Sequence, residues 1–376
     1  MTRSSSDQDG PLRGHRAPDK IPGSGARQVS LLRPVLGVAG ALARGLAMPW
    51  KRTAEGCELT YVTTADGWVL PLRRVRRSER PPLGPLLLQH GLGSNHMVYL
   101  FPGRSLASRM ADLGFDCWVP DLRGRGLARP PRGVRRWTTS DYVDQDLPAI
   151  VDAILTRTGY DDLLWVGHSM GGVLLYMYGI RHGTRRIRAA VASAATLDYR
   201  VGETSFRALL PHRERLARLP NIPFGTLMSL SAPFHRRLGM SGRGDLYNPE
   251  NLEPKFGRQY LASAYEDIAT GVLLSLSSTF GPRGFQHPDG LTYLEEAGRF
   301  TAPLLAMAGA KDQQVSPEAV AATLGRVGSK TRRFMLVCRE AGFSVDPGHV
   351  DLINGIMAPS EVWPLIERWL IAHPPR

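Results

Sequence analysis

Short apolar runs alternate with helical patterns along most of the chain after residue 58. Residues 86–88 and 163–166 are continuously apolar, which is typical of strands buried on both faces of a sheet. The predicted strands are 58–64, 68–75, 86–88, 115–119, 163–166, 187–195, 304–308 and 334–337. The predicted helices include 105–113, 141–156, one that follows residue 169, and 361–371. This alternation predicts an α/β fold with a mostly parallel central sheet and helices on both faces.

The stretch 201–298 and the amino-terminal region do not follow this alternation of strands and helices. Residues 201–298 carry helical pieces, 206–219 and 259–279, separated by Pro and Gly and placed between two predicted sheet strands. An insertion at this point is expected to sit above the carboxyl ends of the strands as a helical cap. The predicted units are a disordered tail and apolar arm (1–54), the first part of the α/β core (55–200), the cap (201–298) and the second part of the core (299–376).

The amino-terminal region divides by composition. Residues 1 to about 28 are rich in Ser, Gly, Pro and charge, which predicts disorder. Residues 29–50 are apolar, but their longest uncharged stretch, 34–43, is too short for a membrane span of about 20 residues. No cleavage site for a signal peptide follows it. Two interpretations remain open: an arm packed on the domain, or a basic interfacial helix that makes weak peripheral contact with a membrane.

The chain is strongly basic, with a formal net charge of +13. Arginine supplies 42 of the 47 basic residues, which either reflects a general bias toward arginine or indicates attraction to an anionic surface. No nucleic-acid-binding motif accompanies the arginines, so we expect no nucleic-acid partner. The three cysteines have neither disulfide nor metal-ligand spacing and are expected to be reduced, which favours a cytoplasmic location. Nothing in the sequence indicates the oligomeric state.

The strongest chemical signal is the sequence Gly-His-Ser-Met-Gly at residues 167–171. It follows a predicted buried strand and precedes a helical pattern, which is the context of a nucleophile elbow. The serine of such an elbow lies on a tight strand-to-helix turn, so small residues are needed two positions before and after it. Gly167 and Gly171 meet that need, and the pattern predicts Ser169 as a nucleophile.

A second glycine-containing loop, Gln-His-Gly-Leu-Gly at residues 89–93, follows an earlier predicted strand. A loop at this place can bring a backbone N–H group beside the serine. We therefore predict the N–H groups of Leu92 and Met170 as an oxyanion hole. His90 is expected to hydrogen-bond within the loop rather than act as a base.

A serine hydroxyl needs a base and an orienting acid. His349 lies in a loop between the last predicted strand and the final helix, and is the predicted base. Asp312 follows the predicted strand 304–308 and is the predicted acid, with Asp198 as the rival. The chain order Ser169, Asp312, His349 is that of α/β hydrolases. His168 and Asp351 are expected to have structural roles, and no metal or organic cofactor is indicated.

From about residue 55 to its end, the chain resembles the α/β-hydrolase superfamily. Residues 89–92, 105–107 and 146–149 resemble the acid lipases, whereas residues 348–351 and 361–364 resemble hydrolases related to polyhydroxyalkanoate synthases. Those synthases carry cysteine as the nucleophile, and serine stands here, so the resemblance implies hydrolysis. The stretch 120–126 is similar to a superfamily loop in which Asp121 and Arg123 are structural.

The sequence therefore predicts a carboxylic-ester hydrolase, esterase-like or lipase-like, that acts through an acyl-enzyme on a small-molecule ester. Apolar cap residues such as Leu273, Leu274 and Leu276 favour an acyl or other hydrophobic substrate, although simple packing of the cap is the alternative. Two further functions stay open: acyl transfer to an acceptor other than water, and a non-catalytic binding protein on a hydrolase scaffold.

Overall fold

The computed structural model describes residues 52–54, 56–77, 82–234 and 246–376, together with Gly45 and Met48. Nearly all of the predicted tail and arm, including the stretch 29–50 and its proposed membrane contact, lies outside these residues, as does His235. Within the described ranges, no helix combines the length and the apolar character that a membrane crossing needs.

An eight-stranded sheet forms the centre of the molecule, in the order β1-β2-β4-β3-β5-β6-β9-β10. Only β2 runs antiparallel to its neighbours, and the other adjacent pairs are parallel. β1 and β10 are the two edge strands. The strands are β1 (Glu58–Thr63), β2 (Val69–Val75), β3 (Pro85–Gln89), β4 (Asp116–Pro120), β5 (Leu163–His168), β6 (Ile187–Ser193), β9 (Leu304–Gly309) and β10 (Arg332–Val337). This arrangement confirms the predicted mostly parallel sheet.

Alternate residues of the central strands point into two separate apolar cores. Leu163 and Trp165 of β5 belong to one core, whereas Leu164 and Val166 belong to the other. The sheet is thus covered on both faces, which explains why its strands read as continuous apolar runs.

Helices cover both faces of the sheet and fill the insertion. They are α1 (Met97–Leu100), α2 (Leu106–Asp112), α3 (Thr139–Asp141), α4 (Leu147–Thr158), α5 (Met170–His182), α6 (Arg213–Leu216), α7 (Phe224–Ser231), α8 (Pro254–Ser263), α9 (Thr270–Ser277), α10 (Pro317–Arg326), α11 (Asp351–Asn354) and α12 (Trp363–Ile371). Short 3₁₀ segments lie between them, of which Ser205–His212 is the longest.

The predicted helix 141–156 contains a π-helical segment, Tyr142–Asp146, between α3 and α4. Pro148 explains it: proline has no N–H to give to the residue four before it, and its ring crowds that residue's carbonyl. The Leu147 N–H instead donates to the carbonyl of Tyr142, five residues back. The segment Ala358–Val362 precedes Pro364 in the same way, so the closing helix also begins with a π-helical segment.

The insertion, residues 201–298, lies between β6 and β9, and its helices differ from those predicted. The continuous helix predicted over 259–279 is wrong, because β8 (Ile268–Ala269) separates α8 from α9 and pairs with β7 (Asn221–Ile222). The Glu266 N–H donates to the carbonyl of Gly93, which anchors the break to the core. The piece predicted over 206–219 is a 3₁₀ segment with Pro211 inside it, followed by the single turn of α6.

Candidate active site

Ser169 occupies the turn between β5 and α5 with a strained backbone. Its φ is 56°, and only two non-glycine residues have positive φ among those the structure describes. An L-residue in this region costs of order 1–3 kcal/mol, which persists only where surrounding structure enforces it. The Ser169 N–H donates to the Ser193 carbonyl of β6 at 2.9 Å, and its own carbonyl accepts from Gly172 and Val173 in the first turn of α5.

The glycines around Ser169 are required by close backbone contacts. A Cβ added at Gly171 would overlap the carbonyl oxygen of Gln89, at the end of β3. One added at Gly167 would lie 2.6 Å from the backbone nitrogen of Gly172. Since these contacts are with main-chain atoms, no side-chain rearrangement relieves them. The sequence-based interpretation of small residues at both positions has this physical basis.

Asp312 and His349 form a buried pair on neighbouring loops. His349 Nδ1 lies 2.8 Å from Asp312 Oδ2, and both side chains are almost wholly buried. The other carboxylate oxygen of Asp312 accepts hydrogen bonds from the backbone N–H groups of Gln314 and Val315. Asp312 follows β9 and His349 follows β10, so adjacent parallel strands deliver the two side chains to one edge of the sheet.

His168 connects this pair to the elbow. Its Nε2 donates to the carbonyl oxygen of His349 at 3.0 Å, and the two imidazole rings are 4.8 Å apart at their centroids. Burial lowers the pKa of His168 to about 3, so its ring is neutral near pH 7. The contact with a carbonyl oxygen then assigns the proton to Nε2. His349 is therefore held against the residue that immediately precedes Ser169.

The rival candidates are engaged elsewhere. Asp198 binds Arg200 through both carboxylate oxygens. His90 Nδ1 donates to the Gly91 carbonyl within its own loop, and burial lowers its pKa to about 4. Asp351 accepts from the backbone N–H groups of Asn248 and Gly348, which makes it a local brace of the loop that carries His349.

The superfamily-like loop 120–126 is a set of buried ion pairs. Asp121 accepts from Arg73 and from His96, and Arg123 pairs with Asp66 and Asp146. Burial raises the pKa of Asp121, but the neighbouring His96 and Arg73 outweigh it and leave the pKa well below its usual range. These contacts give Asp121 and Arg123 the structural environment that the resemblance implies.

A mostly apolar cavity opens onto Ser169. Its wall contains Leu92 and Met170 from the two core loops, and Leu273, Leu274 and Leu276 from the insertion. Met170 is the first residue of α5, where backbone N–H groups lack partners inside the helix. The Leu92 N–H donates to no residue that the structure describes. The sequence pattern missed the remaining wall residues of the cavity, which are Tyr199, Phe206, Leu209, Leu210, Arg213, Leu216, Ser277, Thr279 and Phe280.

Other apolar residues of the insertion do not line this cavity. Met228 packs in a small cluster with Leu261, and Leu227, Leu230 and Phe234 are exposed. Apolar sequence alone therefore does not show which residues of the insertion line the cavity and which pack elsewhere or lie on the surface.

Comparison with known proteins agrees with the fold. The sequence pattern of the alpha/beta hydrolase fold family matches residues 84–342, more than half of the 376 residues. The chain belongs to this family. A solved structure of a thermophilic esterase from Thermogutta terrifontis superposes with a TM-score of 0.58 at 19% identity, over 84% of this chain and 99% of that chain. At that identity the likeness concerns the fold alone.

Among curated members, this α/β-hydrolase-fold chain is similar to lipases. It is 37% identical to Lipase 1 of Drosophila melanogaster over 123 residues, which are 30% of this chain and 27% of that protein. It is 31% identical to gastric triacylglycerol lipase of Bos taurus over 173 residues, or 41% of this chain and 44% of that protein. The chain thus spans less than half the length of these curated relatives.

Proposed function

We propose that this protein is a serine hydrolase that cleaves carboxylic esters through an acyl-enzyme on Ser169. The observation that carries the proposal is the buried Asp312–His349 pair, held against His168, the residue that precedes a serine with a strained backbone at a strand-to-helix turn. A general base, an orienting carboxylate and a nucleophile that lines a cavity are the parts that acyl transfer from an ester requires. The similarity to lipases supports the same reaction class.

In the proposed mechanism the Nδ1–H group of His349 donates a hydrogen bond to Asp312, which leaves Nε2 free to take the proton of Ser169. The serine oxygen attacks the ester carbonyl, and the tetrahedral oxyanion accepts hydrogen bonds from the Leu92 and Met170 N–H groups. Loss of one such donor typically costs about 3 kcal/mol of transition-state stabilisation. His349 then protonates the leaving alcohol, and water attacks the acyl-enzyme by the same steps.

We further propose that the insertion is a cap that defines the substrate. Its leucines complete the cavity over Ser169, and only one of the described residues lining it is charged. Such a wall favours an ester with an apolar acyl or alcohol group, because burial of apolar surface releases about 25 cal/mol per Å².

Covalent labelling tests the nucleophile. A fluorophosphonate probe should label the wild-type protein and not Ser169→Ala, which should also lose turnover of p-nitrophenyl esters by several orders of magnitude. Ser193→Ala is the matched control, since Ser193 is buried at the end of the adjacent strand and its hydroxyl has no partner among the described residues. Unchanged labelling of Ser169→Ala would remove Ser169 from the mechanism.

A chain-length series of p-nitrophenyl esters tests the cap. Catalytic efficiency should rise from acetate toward medium-chain esters, because each added methylene that enters the cavity contributes up to about 0.8 kcal/mol. Leu274→Gln should flatten this rise and leave acetate hydrolysis largely unchanged. Equal loss on all chain lengths would show that Leu274 does not contact the chain.

A further inference from the structure

The cavity over Ser169 is bounded on one side by a basic segment of the insertion, residues 205–219. This segment consists of the 3₁₀ segment Ser205–His212, the short helix α6 and the turn that follows. It contains four arginines and one glutamate. Neither the 3₁₀ segment nor α6 buries a residue completely. The segment therefore lies on the surface, and its residues Phe206, Leu209, Leu210, Arg213 and Leu216 line the cavity.

The arginines of this segment differ from those of the core in their partners. In the core, arginines pair with carboxylates, as Arg73 does with Asp121 and Arg123 does with Asp146. In the segment, no arginine pairs with a carboxylate of the described residues, and Arg207 donates only to the backbone carbonyls of Arg200 and Gly202. The segment beside the cavity thus carries positive charge that is not paired with any carboxylate in the part of the chain that the structure describes.

Arg213 connects this charge to the cavity. It is exposed, and it is the one charged side chain among the described residues that line the cavity with Ser169. Leu209, Leu210 and Leu216 flank it on the same wall. An elongated ligand that reaches Ser169 along the leucines therefore has a guanidinium available at its outer end.

We infer that Arg213 determines substrate specificity and that the preferred substrate is an amphiphilic ester carrying an anionic group. An apolar chain separates that carboxylate, phosphate or sulfate from the ester. The chain lies against the leucines, the ester lies at Ser169, and the anion pairs with Arg213. The inference rests on the proposed function for the position of the ester. A guanidinium forms two parallel hydrogen bonds to such an oxyanion, which gives direction as well as attraction.

The size of the effect follows from the exposure of Arg213. A pair at the surface is weakened by water and by salt, so we expect a preference of about fivefold to tenfold at low salt rather than the larger factor of a buried pair. The preference should fall as ionic strength rises from 10 mM to 500 mM, where the screening length shortens to a few ångströms.

The experiment compares p-nitrophenyl decanoate with the mono-p-nitrophenyl ester of decanedioic acid, both below their aggregation concentrations. Wild type should show the higher kcat/KM with the carboxylated ester, and in Arg213→Gln the ratio of the two kcat/KM values should fall to about one. Arg215→Gln is the matched control, because Arg215 lies on the same helix and does not line the cavity. Equal losses in both variants would indicate a diffuse surface charge and overturn the assignment to Arg213.

A binding measurement separates this inference from the proposed function. Decyl sulfate and 1-decanol, titrated into Ser169→Ala, require no turnover. The sulfate should bind about fivefold to tenfold more tightly, and Arg213→Gln in the same background should remove the difference. If the wild type cleaved no ester but decyl sulfate still bound more tightly than 1-decanol, the proposed function alone would be contradicted. Equal affinities for the two ligands, with ester cleavage intact, would contradict the inference alone.

Discussion

Replacement of Ser169 by glycine should stabilise the protein relative to replacement by alanine, although both variants lose the nucleophile. The φ of 56° at this position is imposed by contacts on both sides of the turn. Alanine keeps the Cβ that makes such a backbone unfavourable, whereas glycine adopts it freely. Alanine is therefore the matched control for the loss of the hydroxyl.

The expected difference in unfolding free energy between the two variants follows from two opposing contributions. Relief of backbone strain contributes about 1–3 kcal/mol in favour of glycine. The greater freedom of glycine in the unfolded chain costs about 0.4–1 kcal/mol. With central values of about 2 and about 0.7 kcal/mol for these two terms, the glycine variant should be about 1.3 kcal/mol more stable than the alanine variant. An unfolding entropy of about 2.1 cal/mol/K per residue over 376 residues translates this into a melting temperature roughly 1–3 °C higher.

Calorimetry or circular dichroism on the two purified variants measures this difference directly. Urea titration gives a second value, since both variants should unfold with the same dependence on denaturant. A glycine variant that melts below the alanine variant would refute the reasoning, because it would mean that the turn stores no strain at residue 169.

Three further results are expected from substitutions in and near the site. Asp312→Asn should lower kcat on p-nitrophenyl esters by about 10⁴-fold while KM changes little, because the amide favours the tautomer of His349 that cannot act as the base. The control Asp198→Asn should leave kcat nearly unchanged. Gly171→Ala should destabilise the fold by about 1–3 kcal/mol or more in urea titrations, because the added Cβ would overlap backbone atoms. The control Gly325→Ala should stabilise the fold by about 0.5–1 kcal/mol, because residue 325 lies in a helix with open space around it. His168→Gln should lessen the loss of stability in acid, because the histidine of the unfolded chain protonates below about pH 6.5 while the folded one stays neutral to about pH 3. As the pH falls from 6.5 to 4, the unfolding free energy of the wild type should therefore drop by up to about 1.4 kcal/mol per pH unit relative to the variant, and parallel curves of unfolding free energy against pH would contradict this.

The parts of the fold that the sequence predicts are those that local pattern determines. The strand β5 and the turn at Ser169 are visible because the strand is buried on both faces and the turn tolerates only small neighbours. The π-helical segments were missed, although Pro148 and Pro364 are a readable signal for them. The pairing of β7 with β8 was missed because two-residue strands carry no period and form only through distant contacts.

The candidate site follows the same division. Ser169, Asp312 and His349 follow three sheet strands, so chain order and strand ends were enough to propose them, and their catalytic roles stay predictions. The contact of His168 with the His349 carbonyl had no sequence signal, because it depends on how two loops meet in space. The position of Arg213 on the cavity wall likewise depends on how the insertion folds over the core.

The last strand of the sheet, β10, begins with two adjacent arginines at one edge. Arg333 is exposed, and Arg332 caps α10 by donating to the carbonyls of Leu324 and Val327. An uncovered edge strand offers unpaired backbone groups to any other extended chain, and charge on the strand opposes such pairing. Two molecules that joined through β10 in parallel and in register would bring four guanidinium groups together. The edge is therefore protected against fibril-like growth, and this protection should weaken in concentrated salt.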